Sequence, residues 1–169
     1  MTGAAIPGTG LGVDVHRFGG PGPLLLGGVT IEYSQGLVGH SDGDVLCHAV
    51  ADAVLGAACL GDLGEHFPSS DSRWRGASSV DLLRLVTAML APLDLVVSGV
   101  DATVLAEAPR LQPQRSEMAE CLRQALQMVP GACSVKVKST DGLGLIGRGE
   151  GIAALAIATV RPGNRGSSQ

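Results

Sequence analysis

Aromatic side chains are almost missing from this chain: one tryptophan, one tyrosine and two phenylalanines in 169 residues. So few rings leave little to stack on nucleobases, and a net charge of -4 provides no basic stripe to neutralise a phosphate backbone. Nucleic acid is therefore not an expected partner. Cysteine is scarce too. Cys47, Cys59, Cys121 and Cys133 lie far apart and form no CxxC pair, which argues against a disulfide framework and for a reduced cytoplasmic setting. Long hydrophobic runs are absent: the longest, Gly151 to Val160, is about half a membrane span. The opening MTGAAIPGTG lacks a basic segment followed by an apolar one, so no secretory signal is expected and the protein should be soluble.

What is present is 45% hydrophobic and 17% charged, a globular composition whose core must come from Val, Leu, Ile and Ala packed closely with the help of 25 glycines. The length suits one domain, residues 1–169, with residues 1–10 and 162–169 expected to be flexible. Because the chain is acidic, an anionic substrate would need bound cations or a few placed basic groups.

Gly12 to Phe18 reads GVDVHRF, in which Val13 and Val15 alternate with Asp14 and His16, the period of a half-buried strand that puts Asp14 and His16 on one face. Pro23 to Tyr33 reads as a hairpin around Gly27-Gly28. A helix is expected to 58, capped by Ser41 or Asp42 with Asp44 reaching back. Further helices are predicted over 79–91, stopped by Pro92, and over 113–128, closed by Pro130-Gly131. Strands are predicted over 93–108, 134–139 and 152–160. Strands interleaved with helices imply an α/β chain folded as an α+β sandwich, one sheet layered with helices.

Asp44, His48 and Asp52 stand at i, i+4 and i+8, on one side of the first helix. Asp14, His16 and His48 together would form a three-ligand site with an open fourth position, the usual form of a catalytic zinc site, and Asp52 could orient a liganding imidazole. Charged groups among apolar ones are costly to bury unpaired, so a bound cation explains the cluster better than isolated structural histidines do. Gly142 to Gly147, GLGLIG, matches G-x-G-x-x-G, but residues 148–157, RGEGIAALAI, are strand-like and the chain ends too soon for a dinucleotide fold. The same glycines still allow backbone to approach a phosphate, with Arg148 as a bidentate partner and Lys138 as a point charge.

The segments GVDVHRF, HSDGDVLCHAVADAVLGAACLGDLGEHFP, AEAPRL and VKVKSTDGLGLIGRGEGIAALA occur in this order. Over roughly residues 10 to 161 the chain resembles the 2-C-methyl-D-erythritol 2,4-cyclodiphosphate synthase family of the non-mevalonate isoprenoid pathway. The resemblance implies a homotrimer with active sites between subunits, each subunit a mixed, mostly four-stranded sheet with helices on one face plus a small hairpin. It implies a phosphorus-oxygen lyase: the 2-phosphate of 4-diphosphocytidyl-2-C-methyl-D-erythritol 2-phosphate attacks the β-phosphorus and CMP leaves. It also implies one zinc per subunit, a second cation (Mg²⁺ or Mn²⁺) with substrate, and a possible association with the upstream cytidylyltransferase.

Carried onto this sequence, the family's zinc ligands fall on Asp14, His16 and His48, which also face substrate. His40 takes the place assigned to transition-state stabilisation, beside Ser41. Asp62, Leu63 and Gly64 form the next substrate segment. The phosphate and erythritol loop is Phe67, Pro68, Ser69, Ser70 and Asp71. The cytidine pocket corresponds to Ala106, Glu107, Ala108, Pro109, Arg110, Leu111 and Gln112. Lys138, Ser139, Thr140 and Asp141, then Leu145 and Arg148, complete the nucleotide side; Ser139 stands where a catalytic Thr is usual. Asp141 replaces a Glu that holds the second metal and is one methylene shorter. The loop motif F-P-D-T-D reads Phe67-Pro68-Ser69-Ser70-Asp71 here, one carboxylate fewer. Two other readings of the residues remain: a metal phosphohydrolase in which the same ion activates water, and a non-catalytic module that uses the ion as a staple.

Overall fold

Residues 8–163 are described by a computed structural model. In chain order the elements are β1 (Gly8–Pro21), the hairpin β2 (Leu24–Leu26) and β3 (Val29–Ile31), β4 (Gln35–Leu37), α1 (Val45–Ala57), the one-turn α2 (Leu63–His66) and α3 (Ser79–Met89). Then come β5 (Leu95–Leu105), α4 (Arg115–Ala125), β6 (Cys133–Lys138), the one-turn α5 (Gly144–Gly147) and β7 (Gly151–Pro162). The main sheet has the order β4-β1-β7-β5-β6; β5 and β6 are parallel and the other neighbours antiparallel. Four long strands match the expected sheet, and β4 adds a fifth at the edge. It escaped the sequence pattern because three residues with a central glycine carry no alternation.

Every strand and helix predicted from periodicity is present with shifted ends. One such shift is at the start of α1. Its cap is Asp44 rather than Ser41 or Asp42, and the Asp44 carboxylate accepts the N–H groups of Leu46 (3.2 Å) and Cys47 (3.0 Å). The same carboxylate accepts Gly27 N–H at 2.8 Å and Gly28 N–H at 2.7 Å, tying the β2–β3 turn to the helix start. Asp44 is fully buried, and four donors offset the desolvation of its charge. It serves the fold, not the ion cluster.

α1 is apolar on nearly every side and is the central buried helix, with the sheet beneath it and α3 beside it. The strand beneath makes room by having no side chains. A Cβ on Gly8, Gly10 or Gly12 would lie 2.0, 2.2 or 2.0 Å from the carbonyl oxygens of Ala57, Ala53 and Ala49 respectively. Two strand residues advance about 6.7 Å and four helix residues about 6 Å, so the repeats run nearly in step. Next on this face of β1 come Asp14 and His16, and they meet the first turn of α1, where His48 sits.

Residues 8–10 and 162–163, expected to be flexible, are held in place: Gly8 pairs with Val160, Pro162 with Leu95, and Gly163 N–H donates to Asp94 O at 2.7 Å. The remaining terminal residues of that expectation, 1–7 and 164–169, lie outside the described ones. All four cysteines are free thiols. Among the described residues no helix is long and apolar enough to cross a membrane.

Candidate metal centre and surrounding loops

Asp14 and His16 project from β1 and His48 from α1, and their ligand atoms lie within 4.8 Å of one another. Asp14 Oδ2 is 2.9 Å from His16 Nε2 and 3.0 Å from His48 Nδ1. Among the described residues this is the one cluster of three or more His, Cys, Asp or Glu able to hold an ion. Burial alone would raise the Asp14 carboxyl, but hydrogen bonds and charge from His16 and His48 outweigh it and hold the group well below the ordinary carboxylate range. For His48 burial pulls downward, the Asp14 carboxylate pulls upward, and the balance lies above the ordinary imidazole value. Two imidazoles and a carboxylate are a donor set suited to a divalent cation, which would take the place of the protons they share.

On its other edge, His48 Nε2 is 2.9 Å from both Ser41 Oγ and Ser79 Oγ. Asp52, expected to orient an imidazole, instead accepts Leu63 N–H at 2.7 Å and so fastens the loop leading into α2. The alignment of Asp44, His48 and Asp52 along α1 therefore splits three ways: a cap, a ligand and a loop anchor.

A cavity of about 350 Å³ opens beside the cluster. Its wall contains most of the residues expected on the phosphate and erythritol side: His40, Ser41, Leu63, Gly64 and the run Phe67, Pro68, Ser69 and Ser70. Asp62 instead caps α2 by accepting Glu65 N–H, and Asp71 caps the next turn, bound to the Arg73 guanidinium, which draws its pKa down. Sequence reasoning passed over Trp74 and Leu82, which also line the cavity. The Trp74 ring stands edge-on to Phe67, centroids 4.9 Å apart at 89°. The available signal was that Trp74 is the single tryptophan, three positions after the expected loop.

The residues expected on the nucleotide side form a second group. Ala106 N–H donates to Lys138 O at 3.0 Å, and Thr140 N–H reaches Glu107 Oε2 at 3.4 Å, so the segments after β5 and β6 lie side by side. Ala108-Pro109 is a cis peptide, Leu111 is fully buried, Arg110 is exposed, and Gln112 opens a short 3-10 turn. Asp141 is left-handed (φ 52°) and exposed; it accepts Ser139 Oγ at 3.2 Å and takes no part in the ion cluster. Arg148 pairs with Glu150 at 2.5 Å. Register runs from Asp14 to Ala154, Val104 and Val137, which sets the ends of β5 and β6 two and three strand spacings, ~10 and ~14 Å, from the strand that carries Asp14 and His16. Leu145 and Arg148 are the exceptions: the loop between β6 and β7 returns Leu145 to a second cavity of about 350 Å³ beside His16 and Arg17, and Arg148 pairs with Glu150 on the wall of that cavity. GLGLIG supplies the one-turn α5 and leads into a strand, where a dinucleotide site would need a long helix.

A model of the YgbB family matches residues 8–161. The chain is 50% identical over 152 residues to the 2-C-methyl-D-erythritol 2,4-cyclodiphosphate synthase of Salinibacter ruber, covering 90% of this chain and 97% of that one. It superposes on the bifunctional IspDF of Campylobacter jejuni with a TM-score of 0.89 at 39% identity, covering 93% of this chain and 42% of that one. For a CDP complex of IspF from Plasmodium falciparum the TM-score is 0.81 at 28% identity, with 95% and 99% covered.

Proposed function

The chain belongs to the YgbB family, and from that premise we propose that it cyclises 4-diphosphocytidyl-2-C-methyl-D-erythritol 2-phosphate to 2-C-methyl-D-erythritol 2,4-cyclodiphosphate, releasing CMP. It is a phosphorus-oxygen lyase of the non-mevalonate isoprenoid pathway. The observation that carries this reading is the convergence of Asp14, His16 and His48 at the mouth of a cavity walled by the expected substrate loop.

The reaction forms one bond, from a 2-phosphate oxygen to the β-phosphorus, and breaks another, from that phosphorus to the CMP oxygen, which leaves with the electron pair. No external base is needed. The protein's task is to fold two mutually repelling anions into line and to hold the charge that develops between them. Zinc on Asp14, His16 and His48 would supply Lewis-acid polarisation of the diphosphate. His40 lines the cavity and its Nε2 is buried without a protein partner, an arrangement suited to steadying a phosphoryl oxygen. Ser41 and the backbone of Phe67 to Ser70 hold the phosphate and erythritol end. The segments from Ala106 to Gln112 and Lys138 to Arg148 hold the cytidine end, with the Ser139 hydroxyl in the catalytic place and Asp141 helping to hold a second Mg²⁺ or Mn²⁺.

The two ends are complete only if copies of the chain share sites, which a homotrimer allows. The open face of the sheet supports such an assembly: Leu11, Val13, Val15 and Ile157 are all about half exposed or more. The bifunctional relatives support an association with the upstream cytidylyltransferase. Four free thiols favour a cytoplasmic enzyme.

The test is product analysis with purified protein. A cyclic diphosphate with stoichiometric CMP supports the reading; a linear phosphate product refutes it in favour of hydrolysis. His48→Ala should leave a folded chain with zinc reduced from about one per chain to background and little turnover. Loss of assembly or folding instead would favour the staple role.

A further inference from the structure

His48 has two nitrogens, and binding a cation through Nδ1 requires that Nδ1 be bare and the proton sit on Nε2. The surroundings of Nε2 determine whether that holds. Ser79 Oγ, 2.9 Å away, has one proton, which goes to Asp42 Oδ1 in a very short hydrogen bond. Ser79 N–H donates to Asp42 Oδ2 at 2.8 Å, so the carboxylate grips the serine through both oxygens. Asp42 is itself fixed, accepting Asp44 N–H at 3.2 Å and donating its own N–H to Ala77 O at 3.1 Å. With its proton committed, the Ser79 hydroxyl can offer His48 only lone pairs, so Nε2 donates to it; Ser41, whose own proton Ser79 Oγ can accept at 3.3 Å, leaves its lone pairs to Nε2 in the same way.

We infer that Asp42 and Ser79 are positioning residues: a carboxylate-hydroxyl-imidazole chain that keeps a proton on His48 Nε2, so that the Nδ1 proton shared with Asp14 Oδ2 at 3.0 Å is the one a cation displaces. This rests on the reading that Asp14, His16 and His48 hold an ion. Metal-bound imidazoles are commonly oriented through their second nitrogen, directly by a carboxylate or carbonyl; here a hydroxyl is interposed. The interposed residue also couples the site to the fold, because Ser79 opens α3 while Asp42 lies in the loop before α1. Ser41, equally near to Nε2, divides the work with Ser79. Ser41 lines the cavity and can turn to substrate, whereas Ser79 is 2% exposed and lies outside the cavity wall.

The experiment measures zinc affinity of the full chain by competition with a chelator, together with solvent exchange of the His48 Nε2 proton in the zinc-loaded protein, followed by nitrogen-15 NMR. Ser79→Ala should weaken zinc binding by about 10- to 100-fold and speed exchange of the Nε2 proton, while circular dichroism stays native. Ser79→Thr, which restores the hydroxyl, should recover most of the affinity. Asp42→Asn, which frees the serine proton, should weaken binding as well and covers the case in which Ser79→Ala does not fold. Wild-type protein that binds zinc, with both Ser79→Ala and Asp42→Asn binding within about twofold of it and exchanging the Nε2 proton no faster, overturns the inference alone. Wild-type protein that binds no zinc overturns the ion reading beneath it.

Discussion

The two faces of β1 invert the usual order. On the face turned to α1 the strand presents Gly8, Gly10, Gly12, Asp14 and His16, which are backbone, carboxylate and imidazole. On the opposite face it presents Leu11, Val13 and Val15, at 64%, 52% and 51% exposure. Polar groups are inside and apolar ones outside. The covered face needs little side-chain bulk because the helix backbone itself fills the space, down to contact with the strand. The open face retains a hydrophobic surface that a solitary chain would have no use for. The first face is completed by its own chain, and the second is proposed to be completed by other copies of it.

The sharpest way to break the covered face is to give it one side chain. Gly12→Val would place Cβ 2.0 Å from Ala49 O, a backbone atom of a buried helix that cannot step aside. Overpacking at a rigid site costs about 1–3 kcal/mol and more where backbone must move, against a total stability of about 5–15 kcal/mol. The expected outcome is a loss of at least ~3 kcal/mol by urea unfolding, and with it the loss of zinc binding, since Asp14 and His48 are held apart by the same spacing. A Gly12→Val chain of native stability would show that α1 is free to lift from β1.

That a glycine run marks a helix seat was not read from the sequence, although the face itself was. Alternation assigned Asp14 and His16 to one side and Val13 and Val15 to the other, because the period of two is a property of the backbone. It could not say which side is covered, and hydrophobicity alone points to the wrong one. His48 was legible as a third ligand from its residue type. Its partners were not: Asp42 looked like a helix cap, and Ser79 like the start of an unrelated helix, until the fold brought the two loops together. Asp44, placed in the helix cap but also in line with His48, stood between two roles for the same reason. A carboxylate at helical spacing from His48 can be a ligand or a cap, and the N–H groups of the distant Gly27-Gly28 turn decide between them.

The open face is tested by charge. Val13→Lys leaves the α1 side of β1 untouched, so the melting temperature of the dilute chain should change little. In the proposed trimer each copy would bring an ammonium group into an apolar contact, and like charges brought together there cost several kcal/mol. Sedimentation should show single chains in place of the assembly, and turnover should fall with it, because the two halves of each site would no longer meet. Unchanged sedimentation of Val13→Lys would mean that this face is not where copies join.

The smallest effect concerns the polar groups on the covered side, where Asp52 takes part without touching the cluster. Burial raises its pKa, the Leu63 N–H opposes this, and the charges of Asp62 and Asp14 add to the rise. Because the folded value lies above the unfolded one, ionisation works against folding. The cost is absent when the group is protonated in both states, grows as pH rises from the ordinary aspartate value through the raised one, and is full at neutral pH. Asp52→Asn keeps an oxygen to accept Leu63 N–H and removes the charge. In zinc-free protein it should therefore be the more stable form at pH 7, by less than ~1 kcal/mol for a half-exposed group, and equal to wild type near pH 3. Loading zinc should shrink the gain, since a divalent charge nearby favours the carboxylate. A gain at pH 7 that persists unchanged at pH 3 would assign the effect to packing and not to charge, and would leave the glycines and the ion ligands as the only strict demands on that face of the strand.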